Sequence, residues 1–202
     1  MNTKERILDV SLSLFSTSGY EAVSIRDICG AVGIKESSLY YHFKNKRDIL
    51  DSLMRKYEDH VNSLLHVLRS ASAPNGGGFS LDWLDIYFFD QYLFDPFCNR
   101  MMRLMLIEQF HNEEIRKAYE RWLFVEPYQI QTSVFATLAK IGLMSEAGAH
   151  RMGHDFFATT TMLTFKYLLN GDLSQERKDA FQKEAHAYME SLFIQFGGNS
   201  NV

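Results

Sequence analysis

Cysteine is nearly missing from this chain: only Cys29 and Cys98 occur in 202 residues. Two thiols cannot build a disulfide framework and fit a reducing compartment. Prolines number three and the twelve glycines are scattered, too few to turn the many short strands of an all-β protein. No apolar run nears the roughly 20 residues that a spanning helix needs, so no membrane partner is expected. The opening segment MNTKERILDV is charged and lacks the apolar stretch of a secretory leader, so a cytoplasmic protein is expected. Also lacking are a Gly-rich phosphate loop, a nucleophile elbow, a zincin motif and any obvious carboxylate pair. An enzyme is therefore not expected, and neither is a cofactor.

What is present is a globular composition, 46% hydrophobic and 23% charged, which excludes a disordered chain. Helix formers (Leu, Glu, Lys, Arg, Met, Ala) dominate, and the fold class expected is all-α. The net charge of −4 argues against a protein that coats nucleic acid indiscriminately. Its distribution is uneven. Lys35, Lys44, Lys46 and Arg47 face one acid, Glu36, within thirteen residues, so this island carries +3 and the remainder −7. Such an island is a localised anion-binding face.

Capping signatures punctuate the first fifty residues. Asn2 with Glu5, Ser24 with Asp27, and Asn45 with Asp48 each place a capping side chain three residues before an acid. They predict a first helix ending at Gly19, a short second helix through Ile28, and a long fourth helix from Asn45 to about Ala71. Between them, Gly30–Ile34 reads as a turn and Lys35–Phe43 as a third helix. Ile28, Val32, Ile34, Leu39 and Phe43 are spaced to bury one face of the second and third helices against the first. Cys29 and Gly30 are small enough for a close crossing, and Gly33 suits a left-handed turn. This is the pattern of a helix-turn-helix, whose second helix enters the major groove. Its outward residues would be Lys35, Glu36, Ser37, Ser38, Tyr41 and His42, with Tyr40 on the flank. Hydroxyls, phenols and an ammonium are suited to base edges and phosphates. Arg26 points the same way, and Lys46 stands at a helix start that favours phosphate.

Beyond residue 50, Ala73-Pro74-Asn75-Gly76-Gly77-Gly78 is the clearest linker candidate. Eleven aromatic residues fall between 81 and 125, enough for a core and for an apolar cavity within it. Candidate walls are Trp83, Phe88, Tyr92, Met101, Met105, Phe110, Trp122 and Phe156. Asp95-Pro96 reads as a helix start, and Pro127 is expected to kink or split the helix running from Glu113 toward Leu138. Gly142 and Gly171 read as stops. Apolar stripes (Met152, Phe156, Leu163, Tyr167; and Phe181, Ala185, Tyr188, Leu192) mark helices over about 145–170 and 174–196. His150 and His154, with Glu146, share a helix face, but without a fourth ligand they read as polar surface rather than a metal site.

Residues 4–50 resemble the DNA-binding domain of the tetracycline-repressor (TetR) family. The resemblance lies in Ile7-Leu8, Leu14-Phe15, Gly19-Tyr20, Ser24, Ile28, Gly33, Leu39-Tyr40-Tyr41-His42-Phe43 and Asn45-Lys46. It implies a DNA-binding domain over 1–46 and a helical ligand-binding and dimerisation domain over 47–202. It also implies a homodimer, joined through the helices at 145–170 and 174–196, that represses from a palindromic double-stranded operator and is released by a small-molecule effector. By matching position, Ser24, Arg26, Ser37, Ser38, Tyr40, Tyr41, His42 and Lys46 would contact DNA. Glu36 and Ser37 depart from the usual pattern, since an acid facing phosphates is unfavourable unless it accepts from a cytosine amino group or from a base within the protein. The alternative is a helical ligand-binding or protein-interaction module without DNA readout.

Overall fold

The computed structural model describes residues 2–71, 84–142 and 144–196, and all regular structure among them is helical. The helices are α1 (Thr3–Ser18), α2 (Ile25–Val32), α3 (Glu36–His42), α4 (Lys46–Ala71), the π-wound α5 (Leu84–Leu93) and α6 (Pro96–Glu108). They continue with α7 (Glu113–Glu120), α8 (Glu126–Lys140), α9 (Glu146–Leu163) and α10 (Gln175–Phe196). One π turn, Arg121–Val125, joins α7 to α8, and another, Thr164–Leu168, extends α9. The expected linker at Ala73–Gly78 and the candidate Trp83 lie outside the described residues. No described helix is long and apolar enough to cross a membrane.

Two compact units divide the chain. One comprises Met1–Asn62 with Arg100–Tyr119, the other Ser63–Asn99 with Glu120–Val202. The division does not fall at the expected 46/47 boundary, because α4 runs unbroken from Lys46 and residues 100–119 pack with the head.

In the first unit the capping signatures become hydrogen bonds. Asn2 Oδ1 accepts from Glu5 N at 2.9 Å and Glu5 Oε2 accepts from Asn2 N at 3.1 Å. Ser24 Oγ accepts from Asp27 N at 3.2 Å, and Ser24 N donates to Asp27 Oδ2 at 2.8 Å. The Ser24 hydroxyl, with its amide, holds the Asp27 carboxyl below the usual aspartate range. The lock is therefore intact above the ordinary aspartate pKa and is lost as pH falls through the lowered value. Asn45 Oδ1 accepts from Asp48 N at 2.9 Å, and Asp48 Oδ2 accepts from Lys44 N at 3.0 Å.

Helix α2 extends one turn beyond the expected Ile28. Its end is Gly33, at φ 77° and ψ 39°, and the Gly33 and Ile34 amides both donate to the Cys29 carbonyl (2.9 and 3.0 Å). Gly30 is thus helical and exposed, with nothing within 4 Å of where a Cβ would lie. It is not the close crossing its size suggested. Cys29 is buried, and burial pushes its thiol pKa up. Ile7, Leu12, Phe15, Ile28, Leu39 and Ile49 form a fully buried core.

Polar ties then fix the head. Lys46 Nζ donates to the carbonyls of Tyr20 (2.8 Å) and Val23 (3.0 Å), reaches Glu21 O at 3.5 Å, and lies 4.2 Å from the Tyr20 ring centroid. Arg6 Nη2 donates to Val32 O at 2.7 Å, satisfying a carbonyl at the end of α2. Residues 100–119 contribute three more ties. Arg100 pairs with Asp9 at 2.7 Å, the buried Glu108 accepts from Tyr20 N at 2.7 Å, and Glu114 pairs with Arg47, which also holds Asp51 at 2.6 Å.

In the second unit, Pro127 sits at the start of α8 without splitting the helix path. The π turn before it re-pairs the backbone, the Glu126 amide donating to the Arg121 carbonyl. A fifth residue in the turn relieves the clash that a proline ring makes with the preceding α turn. The aromatic wealth here is mostly core: Phe181 meets Phe89 edge-on at 5.1 Å and Phe94 at 5.5 Å, and Phe135 meets Phe156 at 5.7 Å. At Asp95-Pro96, Asp95 Oδ1 accepts from Cys98 N at 2.8 Å, and burial drives the Cys98 thiol pKa far up. Arg177 Nε donates to Tyr167 O at 2.6 Å and its Nη2 to Asn170 O at 2.7 Å, closing the π turn that ends α9.

Three outcomes follow for urea unfolding. Gly33→Ala should lose about 1–2 kcal/mol, since its φ is left-handed, whereas Gly30→Ala should gain about 0.5–1 kcal/mol as a solvent-facing helical position. Lys46→Ala should lose about 1.5 kcal/mol, because carbonyls held by an ammonium are released.

Candidate nucleic-acid interface

Helix α3 is short and two-faced for a simple reason. Leu39 is fully buried, Phe43 at the helix end is buried, and Ile34 in the turn before it is half-buried. Pinning those positions inward leaves Lys35, Glu36, Ser37, Ser38, Tyr40 and Tyr41 exposed. Tyr41 is the extreme, 86% exposed against 50% for Tyr40. His42 is half-buried and meets the Tyr41 ring edge-on at 5.1 Å, which steadies the phenol. Lys35 flanks the helix as its N-terminal cap residue. The face holds hydroxyls, phenols, an imidazole and an ammonium, which can donate to and accept from base edges and phosphates.

Three of the expected positions also make contacts within the protein. Lys46 lies beside the face, but its ammonium is turned onto the α1–α2 loop. It therefore props the loop that carries Ser24. Ser24 is exposed, with its side chain committed to the α2 cap. Arg26 Nε meets Glu36 Oε1 at 3.3 Å, joining the start of α2 to the start of α3. The Arg26–Glu36 and Arg6–Val32 ties escaped sequence reasoning, since neither spacing marks them as partners; the unexplained acid in a basic island was the one available signal.

The candidate cavity walls do not form one set. Phe110 is 82% exposed and lines nothing enclosed, a correction that follows from its place in the α6–α7 turn. Met101 and Met105 are fully buried in the first unit. Phe88, Tyr92, Trp122 and Phe156 are buried in the second, where the Tyr92 hydroxyl donates to Trp122 O at 2.7 Å and Phe88 stacks at 5.9 Å on Tyr92. Sequence reasoning missed Gln131, buried on α8 with its Nε2 unpartnered among the described residues, and the buried Thr160, whose Oγ1 lies 3.5 Å from Gln131 Oε1. It also missed a groove of about 550 Å³ between α8 and α9, with Gln129, Ser133, Ala136, Lys140 and His150 on its walls. His154 instead faces Asp155, at 3.2 Å, and the Tyr128 ring.

The apolar stripes of the last two helices are core as well. Met152, Phe156 and Leu163 of α9 and Phe181, Ala185 and Leu192 of α10 are buried within one protomer, with Tyr167 and Tyr188 half-buried. The outward faces carry other residues: Ala158 and Met162 on α9, Ala187, Ser191 and Ile194 on α10.

Comparison with known proteins agrees with this geometry. The family described as bacterial regulatory proteins, tetR family, matches residues 7–53. The biofilm operon icaADBC HTH-type negative transcriptional regulator IcaR of Staphylococcus aureus is 33% identical over 92 residues, 46% of each chain. Its Staphylococcus epidermidis counterpart is 36% identical over 71 residues, 29% of this chain and 38% of that one. The match to the S. aureus relative thus spans about half its length. Among solved structures, a TetR-family transcriptional regulator from Marinobacter aquaeolei VT8 superposes with TM-score 0.69 at 22% identity, covering 98% of this chain and 93% of that one. A transcriptional regulator from Saccharomonospora viridis in complex with choline gives 0.63 at 22% identity, covering 93% and 95%. Residues 7–53 thus match the tetR family of bacterial regulatory proteins, and nearly the whole chain shares its fold with a TetR-family regulator.

Proposed function

We propose that this protein is a cytoplasmic, ligand-responsive repressor that binds a palindromic operator as a homodimer. The observation that carries the reading is the outward face of α3, where Ser37, Ser38, Tyr40 and Tyr41 are exposed while Leu39 is fully buried beneath them. A rigid helix presenting short polar side chains and phenols is the shape a major groove accepts. Lys35, Arg26 and His42 are the flanking contacts. Ser24 and Lys46 serve as supports, the first capping α2 and the second bracing the loop. The repressing sense is supported by IcaR, which is named as a negative regulator.

The effector would enter the second unit. Support comes from Gln131, whose buried amide has a donor without a partner among the described residues, beside the buried Thr160. A buried unpaired donor is costly until an acceptor reaches it. The S. viridis regulator of like fold holds choline, a small molecule. Dimerisation would use the outward faces of α9 and α10, where Met162 is 56% and Ile194 84% exposed.

Two experiments test the reading. In gel shifts on the DNA flanking the gene, the protein should retain one palindromic fragment, and Tyr41→Ala should weaken retention tenfold or more with unchanged thermal unfolding. Absence of binding to every fragment at low salt favours an interaction module instead. In sedimentation, Ile194→Glu should yield folded monomers, whereas Leu192→Glu should unfold the second unit; a dimeric Ile194→Glu protein would exclude this face.

A further inference from the structure

The head of this protein is not basic. Across residues 1–53, Lys and Arg number seven, and so do Asp and Glu. Most of the cations are also occupied within the protein. Lys46 and Arg6 are spent on backbone carbonyls, Arg47 on Asp51 and Glu114, and Lys4 lies 5.6 Å from the Phe43 ring centroid. Lys35 precedes the reading helix as its cap residue, and Arg26 reaches the start of that helix from α2, its side chain 88% exposed and matched by Glu36 at 3.3 Å. An ion pair this exposed adds little to stability. Its effect is on the charge offered to a polyanion. A free guanidinium at this corner would grip phosphate on any duplex, and a free carboxylate at the first position of α3 would repel it.

We propose that Glu36 is a specificity-setting residue that masks Arg26 until a particular base pair is met. The inference rests on the reading of α3 as a groove-entering helix. The pair opens without loss only where both members find new partners. Arg26 needs a phosphate or a guanine edge. Glu36 needs a donor, and in the major groove the cytosine N4 amino group is the donor a carboxylate accepts from. A C·G pair under the N-terminus of α3 therefore satisfies both, while other pairs leave the carboxylate facing acceptors. The masking keeps sequence-independent binding weak in a head that has little positive charge to spare.

The test uses the full-length protein and a 30-base-pair duplex pool of random sequence. Glu36→Gln keeps the shape and frees Arg26. It should bind the unselected pool roughly five- to tenfold more tightly per head near 0.1 M salt, with a salt slope steeper by about 0.9 per head, one added phosphate contact. Arg26→Ala/Glu36→Gln should lose that gain, since the cation it released is gone. Selection from the pool should give a C·G pair at one position per half-site for the wild type, with Glu36→Gln relaxed at that position alone. If the wild type selects a site but Glu36→Gln keeps the same slope and the same base preference, the masking role is overturned while the reading head stands. If the wild type binds no member of the pool at low salt, both fail. Thermal unfolding of each variant, expected unchanged for groups this exposed, confirms that binding rather than folding is being read.

Discussion

The N-terminal unit is braced by one ammonium group. Lys46 stands at the first position of α4 and reaches back to the carbonyls of Tyr20 and Val23, so the longest helix of the head is tied to the loop that launches α2. Those carbonyls lie between helices, where no ladder supplies them with donors. A neutral side chain could satisfy one or two, but an ammonium has three N–H groups and a charge that strengthens each bond. Because Ser24 lies next to Val23, the same grip places the α2 cap, and through α2 the Gly33 turn and the pitch of α3. The fold here is polar clamps laid over a small apolar core, each fixing an angle that the core alone would leave loose.

Features set by neighbours in sequence were legible in sequence. The Asn2, Ser24 and Asn45 caps each act three residues ahead, a distance any reader of the chain can measure, and all three side chains accept the expected amide. Gly33 was legible for the same reason, since a left-handed residue is a local demand. Features set by packing across the fold were not. Gly30 looked like a contact point because it is small, yet nothing crosses there. Lys46 reads as a phosphate contact from its place at a helix start, and its partners in the fold lie over twenty residues away. The apolar stripes of α9 and α10 marked buried faces, but periodicity does not say whether the same chain or another covers such a face.

The second unit shows the same limit from the other side. Its aromatic density announced a core, and the Phe89–Phe94–Phe181 cluster is one. Which rings share a face depends on helix phase, and the π turns at Arg121–Val125 and Thr164–Leu168 each shift that phase. An inserted residue rotates everything downstream relative to the helical count. Candidate walls chosen by residue type thus scattered, and Gln131, an unremarkable amide by sequence, became the most distinctive polar group of the interior.

The three ties from Asp9, Tyr20 and Arg47 to residues 100–119 bear on how the protein can be dissected. A fragment ending after Asn62 would contain all of α3 and its exposed face yet lack Arg100, Glu108 and Glu114. The Tyr20 amide would lose its acceptor, Asp9 would lose Arg100, and Arg47 would keep Asp51 but lose Glu114. Excision would therefore remove part of the scaffold along with the tail, and a truncated head would report on a looser object than the one the whole chain builds.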